Sequence, residues 1–313
     1  MTEGMLFLLM TGEVPSYEDA EALRVELIQK AKLPAETITL MQSLPTSIPS
    51  LTQLSIGLMS LQTHSHFAKA YSQGIKKADY WKPIFEDSLD LVVRLPIIAV
   101  YIYKTKYRLG PVIRIDENLD WAANFGNMLG FKDQSFHEYL RMYSIIHSDN
   151  SGSNVSAHTT HLVASALSDP YSAGLNGLAG PLHGLAGQAF MKWLTRARGI
   201  LGDRATEEKL EAYVRKTLEA GHRIPAFGHE VLKVEDPRFL CQKDFALTYA
   251  RDDPLCRMVN LRHRVIPKVL KEVEQYPGRT STPVRACTTT VFPSTSTSQS
   301  SLECPEPLAA CRS

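Results

Sequence analysis

Helical periodicity constrains this chain more than any other feature. From the first residues to about position 274, apolar side chains return every three or four positions. No neighbouring segments alternate apolar and polar residues as a half-buried strand pair would. In residues 15–32, Ser16 stands where an N-cap belongs, Asp19 falls in the first turn, and Leu23, Leu27 and Ala31 share one face. Residues 50–62 repeat the pattern with Leu51, Leu54, Leu58 and Leu61. A longer and strongly apolar helix is expected over 80–104, with Pro96 inside it as a source of a kink. Helices with acidic first turns are expected over 116–130 and 133–149, and another runs from Thr206 to a stop at Gly221. The fold class is therefore all-α, built from many helices of moderate length and short loops.

Composition narrows the class of protein. The chain of 313 residues is 44% hydrophobic and 21% charged, with a formal net charge of +1. Those values fit a globular protein, and the near-neutral charge gives no footprint for nucleic acid or an acidic membrane. No apolar run approaches the ~20 residues that span a bilayer. The start lacks the basic n-region of a secretory signal and the arginines of a transit peptide. It reads as the interior of a domain, so an N-terminal portion is expected to be missing. Cys241, Cys256, Cys287, Cys304 and Cys311 show no CxxC spacing, so zinc and thioredoxin-like chemistry are not expected. Residues 277–313 are crowded with Ser, Thr and Pro and have no period, a composition that cannot offset its ordering entropy, so disorder is expected there.

Three histidine-bearing segments carry the chemical interest. In residues 176–188 glycines and Pro181 surround His183. Small residues let a ligand or another backbone approach closely, and proline fits the first turn of a helix at no hydrogen-bond cost. His183 is expected near a helix N-terminus, where the dipole favours a neutral imidazole able to donate to a carbonyl oxygen gaining enolate charge. In residues 223–238, Gly228 permits a tight turn before His229, and Arg238 suits bidentate pairing with a carboxylate. The third segment, 146–161, carries His147 and Asn150; its His158 and His161 lack the glutamate of a zinc-protease motif and read as structural.

The order and content of these segments resemble the citrate synthase family, mitochondrial type. The likeness runs from Glu3 to about Lys271 through EGMLFLLMTGEVPS, YWKPIFEDSLDLVVRLP, NLDWAANFGNMLG, SNVSAHTTHLVASALSDPY and NGLAGPLHGLA. The resemblance implies a large helical domain (1–183) and a smaller helical domain (184–276), with the active site in the cleft between them and closing over the substrates. It also implies condensation of acetyl-CoA with oxaloacetate and hydrolysis of citryl-CoA, with no metal and no cofactor. By that likeness His183 donates to the thioester oxygen and His229 polarises the ketone of oxaloacetate. Arg238, His147 and Asn150 fall at positions that bind oxaloacetate. Arg223, Ile224, Pro225, Ala226 and Gly228 match the segment that lies along CoA. A homodimer with shared active sites and a mitochondrial matrix location are also implied; the chain as written, without a leader, would stay in the cytoplasm.

Four departures qualify the resemblance. Asn150 stands where the family usually has histidine, and an amide is shorter and never charged. The stretch between DPY and NGLAG is shorter than usual by nearly one helical turn. Ala226 replaces a glycine in the CoA segment. The segment carrying the family's catalytic aspartate is absent. Regrouping the codons from Tyr276–Pro277 onward by one base permits Pro-Trp-Pro-Asn-Val-Asp-Ala. The same regrouping over Ser298 to Ala309 permits Phe-Gly-Val-Ser-Arg-Ala-Leu-Gly. Both are family motifs, so the tail is read as an out-of-frame translation and the chain as written is expected to be inactive. Two alternatives stay open: a non-catalytic fragment that pairs with a full-length subunit, and 2-methylcitrate synthase.

Overall fold

The computed structural model describes residues 2–148, 154–168, 170–180, 183–225, 227 and 236–274. Asn150, Ala226, Gly228, His229 and the tail 277–313 lie outside that set. The chain divides into two compact units, Met1–Ala179 and Gly180–Ser313. Among the described residues every regular element is helical.

The first unit begins with α1 (Thr2–Thr11), α2 (Tyr17–Lys30), α3 (Ala35–Ser43), α4 (Ser50–Ser60) and α5 (His66–Ser72). It continues with the long α6 (Trp81–Tyr107), then α7 (Trp121–Leu129), α8 (Gln134–Ile146), α9 (Val155–Ser165) and α10 (Pro170–Leu178). Its helix starts follow from sequence. The Ser16 hydroxyl accepts from the Asp19 amide at 3.1 Å, while the Asp19 carboxylate accepts from the Ser16 amide at 3.0 Å, so two otherwise orphaned donors are met reciprocally. The face this helix offers is the one its periodicity marks: Leu23 and Leu27 pack with Leu89 and Val93 of α6, with Ala31 at the edge. Helix α5 is capped twice, by Ser65 and by Asp87 of α6, which accepts from the amides of His66 at 2.6 Å and Phe67 at 3.0 Å.

Pro96 does not end α6, which runs on to Tyr107. Proline has no N–H for the carbonyl of Val92 four residues back. The indole Nε1 of Trp121 donates to that carbonyl at 3.1 Å instead. Trp121 is also the first residue of α7, and its own amide donates to the buried Glu3 carboxylate at 2.7 Å. Helix α7 starts later than its acidic run predicts because the Asn124 amide holds that run as a loop. Asn124 accepts from the Asp116 amide at 2.8 Å and donates to the carbonyls of Asp116 and Leu119 at 2.9 and 3.0 Å. Close approaches use glycine. A Cβ at Gly57 of α4 would lie 2.7 Å from Ile98 Cγ2 and 2.8 Å from Met41 Sδ. One at Gly174 of α10 would lie 2.7 Å from Thr160 Oγ1 of α9, which is why this helix pair is rich in small residues.

The second unit comprises α11 (Ala186–Leu201), α12 (Glu207–Glu219), α13 (Pro237–Tyr249) and α14 (Pro254–Glu274). Thr206 caps α12, and Gly221 closes it at φ +79°. The core takes Phe190, Leu194 and Ala197 from α11, Leu210 and Val214 from α12, Phe239 from α13 and Val265, Ile266 and Val269 from α14. In each helix these recur at the spacing of one face. Within this core lies Arg262, only 1% exposed, with its guanidinium carbon 4.1 Å from the Phe190 ring centre and 5.3 Å from that of Phe227.

Candidate functional site

His183 occupies a turn at the start of the second unit, three residues before the first residue of α11. Its amide donates to the Gly180 carbonyl at 3.0 Å, and the Leu185 amide donates to the same oxygen at 3.3 Å. The ring is half-buried. The glycine-rich segment thus turns sharply just ahead of a helix, with the histidine on the turn rather than inside the helix.

Arg238 sits in the first turn of α13, whose N-cap is Asp236 and whose first residue is Pro237. Asp236 is almost fully buried and accepts from the Arg238 amide at 2.9 Å, from its Nε at 3.1 Å and from its Nη2 at 2.8 Å. One carboxylate therefore caps the helix and clamps the guanidinium by its Nε–Nη2 edge. Such a clamp removes rotamer freedom in advance, so less is lost when a further anion is met. Asp236 is a residue of the candidate site that the histidines do not point to. Its signal is the triplet Asp-Pro-Arg, an N-cap before a proline at the first helical position.

His147 belongs to the first unit and caps the C-terminus of α8. Its Nδ1–H donates to the Tyr143 carbonyl at 2.8 Å, because a carbonyl can only accept. The ring stacks on that of Tyr143 with centres 4.2 Å apart and planes inclined by 27°. The bond fixes the tautomer: a neutral ring carries its lone pair on Nε2, and only the protonated ring can donate there as well. Of the segment expected to lie along CoA, Arg223 is exposed, Ile224 is buried in the second unit's core and Pro225 is half-buried. Phe227 of the same segment is the ring that faces the Arg262 guanidinium, so this stretch is tied to the core on both sides of Ala226.

Other chemistry is sparse among the described residues. They contain no group of three or more His, Cys, Asp or Glu able to hold a metal ion. No helix among them is long and apolar enough to cross a membrane. The thiol of Cys256 is buried, and that burial pushes its pKa up, which makes it a weak nucleophile. Asp203 is held below its ordinary carboxylate pKa, first by the hydrogen bond from Arg198 and also by the charge of Arg257.

The family model for the C-terminal domain of citrate synthase matches residues 1–292. Among curated relatives, the mitochondrial citrate synthase of Daucus carota is 46% identical over 276 residues, which is 87% of this chain and 58% of the relative. Citrate synthase 4, mitochondrial, of Arabidopsis thaliana is 47% identical over the same share of both chains. The chain thus spans less than two thirds of the length of these relatives. Among solved structures, citrate synthase from Pyrobaculum aerophilum aligns with a TM-score of 0.71 at 23% identity, covering 91% of this chain and 70% of that one. The Thermoplasma acidophilum enzyme, solved as a ternary complex with carboxymethyl coenzyme A and oxaloacetate, aligns with a TM-score of 0.66 at 22% identity over 87% of this chain and 68% of that one. At those identities the likeness to the two structures concerns the fold, and it is all-α.

Proposed function

The chain belongs to the citrate synthase family, and from that premise we propose that its site is built for the condensation of acetyl-CoA with oxaloacetate and the hydrolysis of citryl-CoA. The observation that carries this reading is the family match over residues 1–292, within which every candidate residue falls. The mitochondrial relatives support a matrix location for the reaction. Domains 1–183 and 184–276 are the proposed halves of a cleft that closes before chemistry.

The methyl group of a thioester is a very weak acid, so its deprotonation needs a base on one side and a preorganised donor on the other. We assign the donor to His183 and the polarisation of the oxaloacetate ketone to His229. Arg238, clamped by Asp236, is assigned a substrate carboxylate. His147 would present Nε2 to substrate, and since Nδ1–H is engaged by Tyr143, a carboxylate is served by the protonated ring alone. Asn150 adds an amide donor. The stretch from Arg223 through Pro225, Ala226 and Gly228 is assigned to CoA. No metal enters any step.

We further propose that the chain pairs with a second citrate synthase subunit; Val155 and Leu162 of α9, 56% and 73% exposed, support a helix face that a partner covers. The tail 277–313 is proposed to be an out-of-frame reading, so that the base is not encoded and the chain binds oxaloacetate without turnover. The test compares the chain as written with one whose frame is restored from Tyr276 onward. Calorimetry measures oxaloacetate binding, and a coupled assay measures CoA release. Both chains are expected to bind oxaloacetate, and the restored chain to release CoA at least ~10³-fold faster. Equal release by both would end the out-of-frame reading. Failure of the restored chain to bind oxaloacetate would end the functional assignment itself.

A further inference from the structure

Helix α14 turns one face to the core of the second unit, and Val265, Ile266 and Val269 fill it. Arg262 stands on that same face, where the helical spacing calls for an apolar residue, and it is fully buried. A guanidinium taken out of water costs stability that an apolar side chain of similar volume does not. What it gains here is flat contact. Its carbon lies 4.1 Å from the Phe190 ring centre and 5.3 Å from the Phe227 ring centre. The face of an aromatic ring is negative, and the planar, weakly hydrated guanidinium is the cation suited to rest on it. The two rings belong to the two stretches of the second unit that carry the candidate histidines. Phe190 lies in α11, seven residues after His183, and Phe227 is two residues before His229 in the chain. The segment from Arg223 to Phe227 is anchored on the core by Ile224, buried in the apolar cluster, and by Phe227, half-buried. The Ile224 anchor is apolar contact; the Phe227 anchor adds the guanidinium of Arg262.

We propose that Arg262 is a positioning residue. By bridging Phe190 and Phe227 it fixes the stretch that carries Phe227 against the helix that follows His183. It thereby presets the segment assigned to CoA, which leads on to His229. Arg262 acts through Phe227 and does not itself touch substrate. A segment left loose must be ordered when a ligand arrives, and that ordering is subtracted from affinity; a segment already clamped avoids the loss. A role confined to the core would be served as well by methionine or leucine, without a buried charge. The inference rests on the assignment of residues 223–228 to CoA for its ligand, whereas its geometry stands without that assignment.

The test compares the full chain with Arg262→Met, which keeps an unbranched apolar stem and removes the planar cation. Thermal melting is expected to be unchanged or raised, because a well-packed apolar side chain relieves the buried charge. Hydrogen exchange over the peptide 223–229 is expected to quicken about tenfold while α12 keeps its protection. CoA binding, titrated by calorimetry with oxaloacetate present, should weaken about tenfold. Phe227→Leu keeps an apolar anchor and removes the ring. It should reproduce both effects, and the double substitution should add nothing, since the two side chains act as one contact. Lys268→Met, the loss of an exposed cation of α14, should alter neither readout. The proposal is overturned if exchange over 223–229 is the same in Arg262→Met and the parent. It is equally overturned if the melt falls and α11, α12 and α14 all loosen together, or if the effects of the two single substitutions add. A parent chain that binds neither oxaloacetate nor CoA ends the functional assignment instead, and the exchange result still decides the role of Arg262.

Discussion

The two units bury polar groups for different ends. In the first, several buried polar side chains answer a specific backbone or ionic debt. Glu3 meets the first amide of α7, Gln53 donates to the Ile48 carbonyl at 2.8 Å, and Asn124 closes the loop before α7. The buried Asp90 takes Arg94 at 2.9 Å and His66 at 3.3 Å. In the second, the buried Arg262 lies between aromatic rings, and Gln242, 1% exposed, has neither amide atom hydrogen-bonded among the described residues. Arg204, Lys243, Arg251 and Arg257 of that unit line one concavity. Polar groups that complete a helix end or a proline gap are explained by the fold alone. A buried polar group that completes neither a helix end nor a loop calls for another explanation, and Gln242 of the second unit is one. The difference separates scaffold from chemistry without reference to any relative.

The two units differ most in their cores. Phe190 is fully buried and is at once the centre of the second unit's apolar cluster and the face on which Arg262 rests. Phe190→Ala should cost about 3–5 kcal/mol from the cavity, with a further ~1 kcal/mol from the lost cation–π contact. Hydrogen exchange gives the readout: amides of α11, α12 and α14 should lose protection while those of α2 and α6 keep theirs. Equal loss in both units would mean that the two cores are one cooperative structure and that the contrast has no energetic content.

The proline gap sharpens the other side. Trp121→Phe keeps most of the ring volume and removes only the donor to the Val92 carbonyl. A half-buried acceptor left without its partner costs about 1 kcal/mol. Chemical denaturation of this variant should show that loss, and adding Pro96→Ala should recover part of it by returning an N–H to the same carbonyl. If the double substitution recovers nothing, the indole bond is not what allows α6 to pass through its proline.

Much of this was legible from periodicity and end signals, and the exceptions have physical causes. The faces of α2 and α4, the cap at Ser16 and the stop at Gly221 are local, and a local pattern can be read from a local window. Helix α5 is seven residues long, and although Ser65 caps it locally, its second cap comes from Asp87 of α6, which no local window contains. The start of α7 is set by Asn124, eight residues into what reads as a helix from its acids. At the candidate site, the Arg238 position follows from a motif, but the clamp on it follows from recognising Asp236 as a cap. The resemblance marks His147 as a candidate for binding substrate, while its tautomer depends on the Tyr143 carbonyl one turn back. The concavity lined by Arg204, Lys243, Arg251 and Arg257 was not legible at all. Its residues are scattered from 204 to 264, and a net charge of +1 hides them.

The smallest expected effect concerns acid and falls on the first unit. Asp19 has its pKa lowered, first by the Ser16 hydroxyl and then by the Ser16 amide, both of which bond its carboxylate. A carboxyl whose pKa is lower folded than unfolded contributes stability above its unfolded value and loses it as pH falls through the folded one. Asp133 at the start of α8 is lowered likewise, chiefly by the Ser135 hydroxyl. Acid should therefore fray the starts of α2 and α8 before it touches the apolar cores. Both carboxyls are exposed, so the readout is local: amide exchange at the first turns of α2 and α8 should quicken on acidification. Asp19→Asn should remove the pH dependence at α2 and leave α8 unchanged. If α14 loosens at the same pH as α2, acid acts on the general charge balance and the caps of the first unit hold no special place in it.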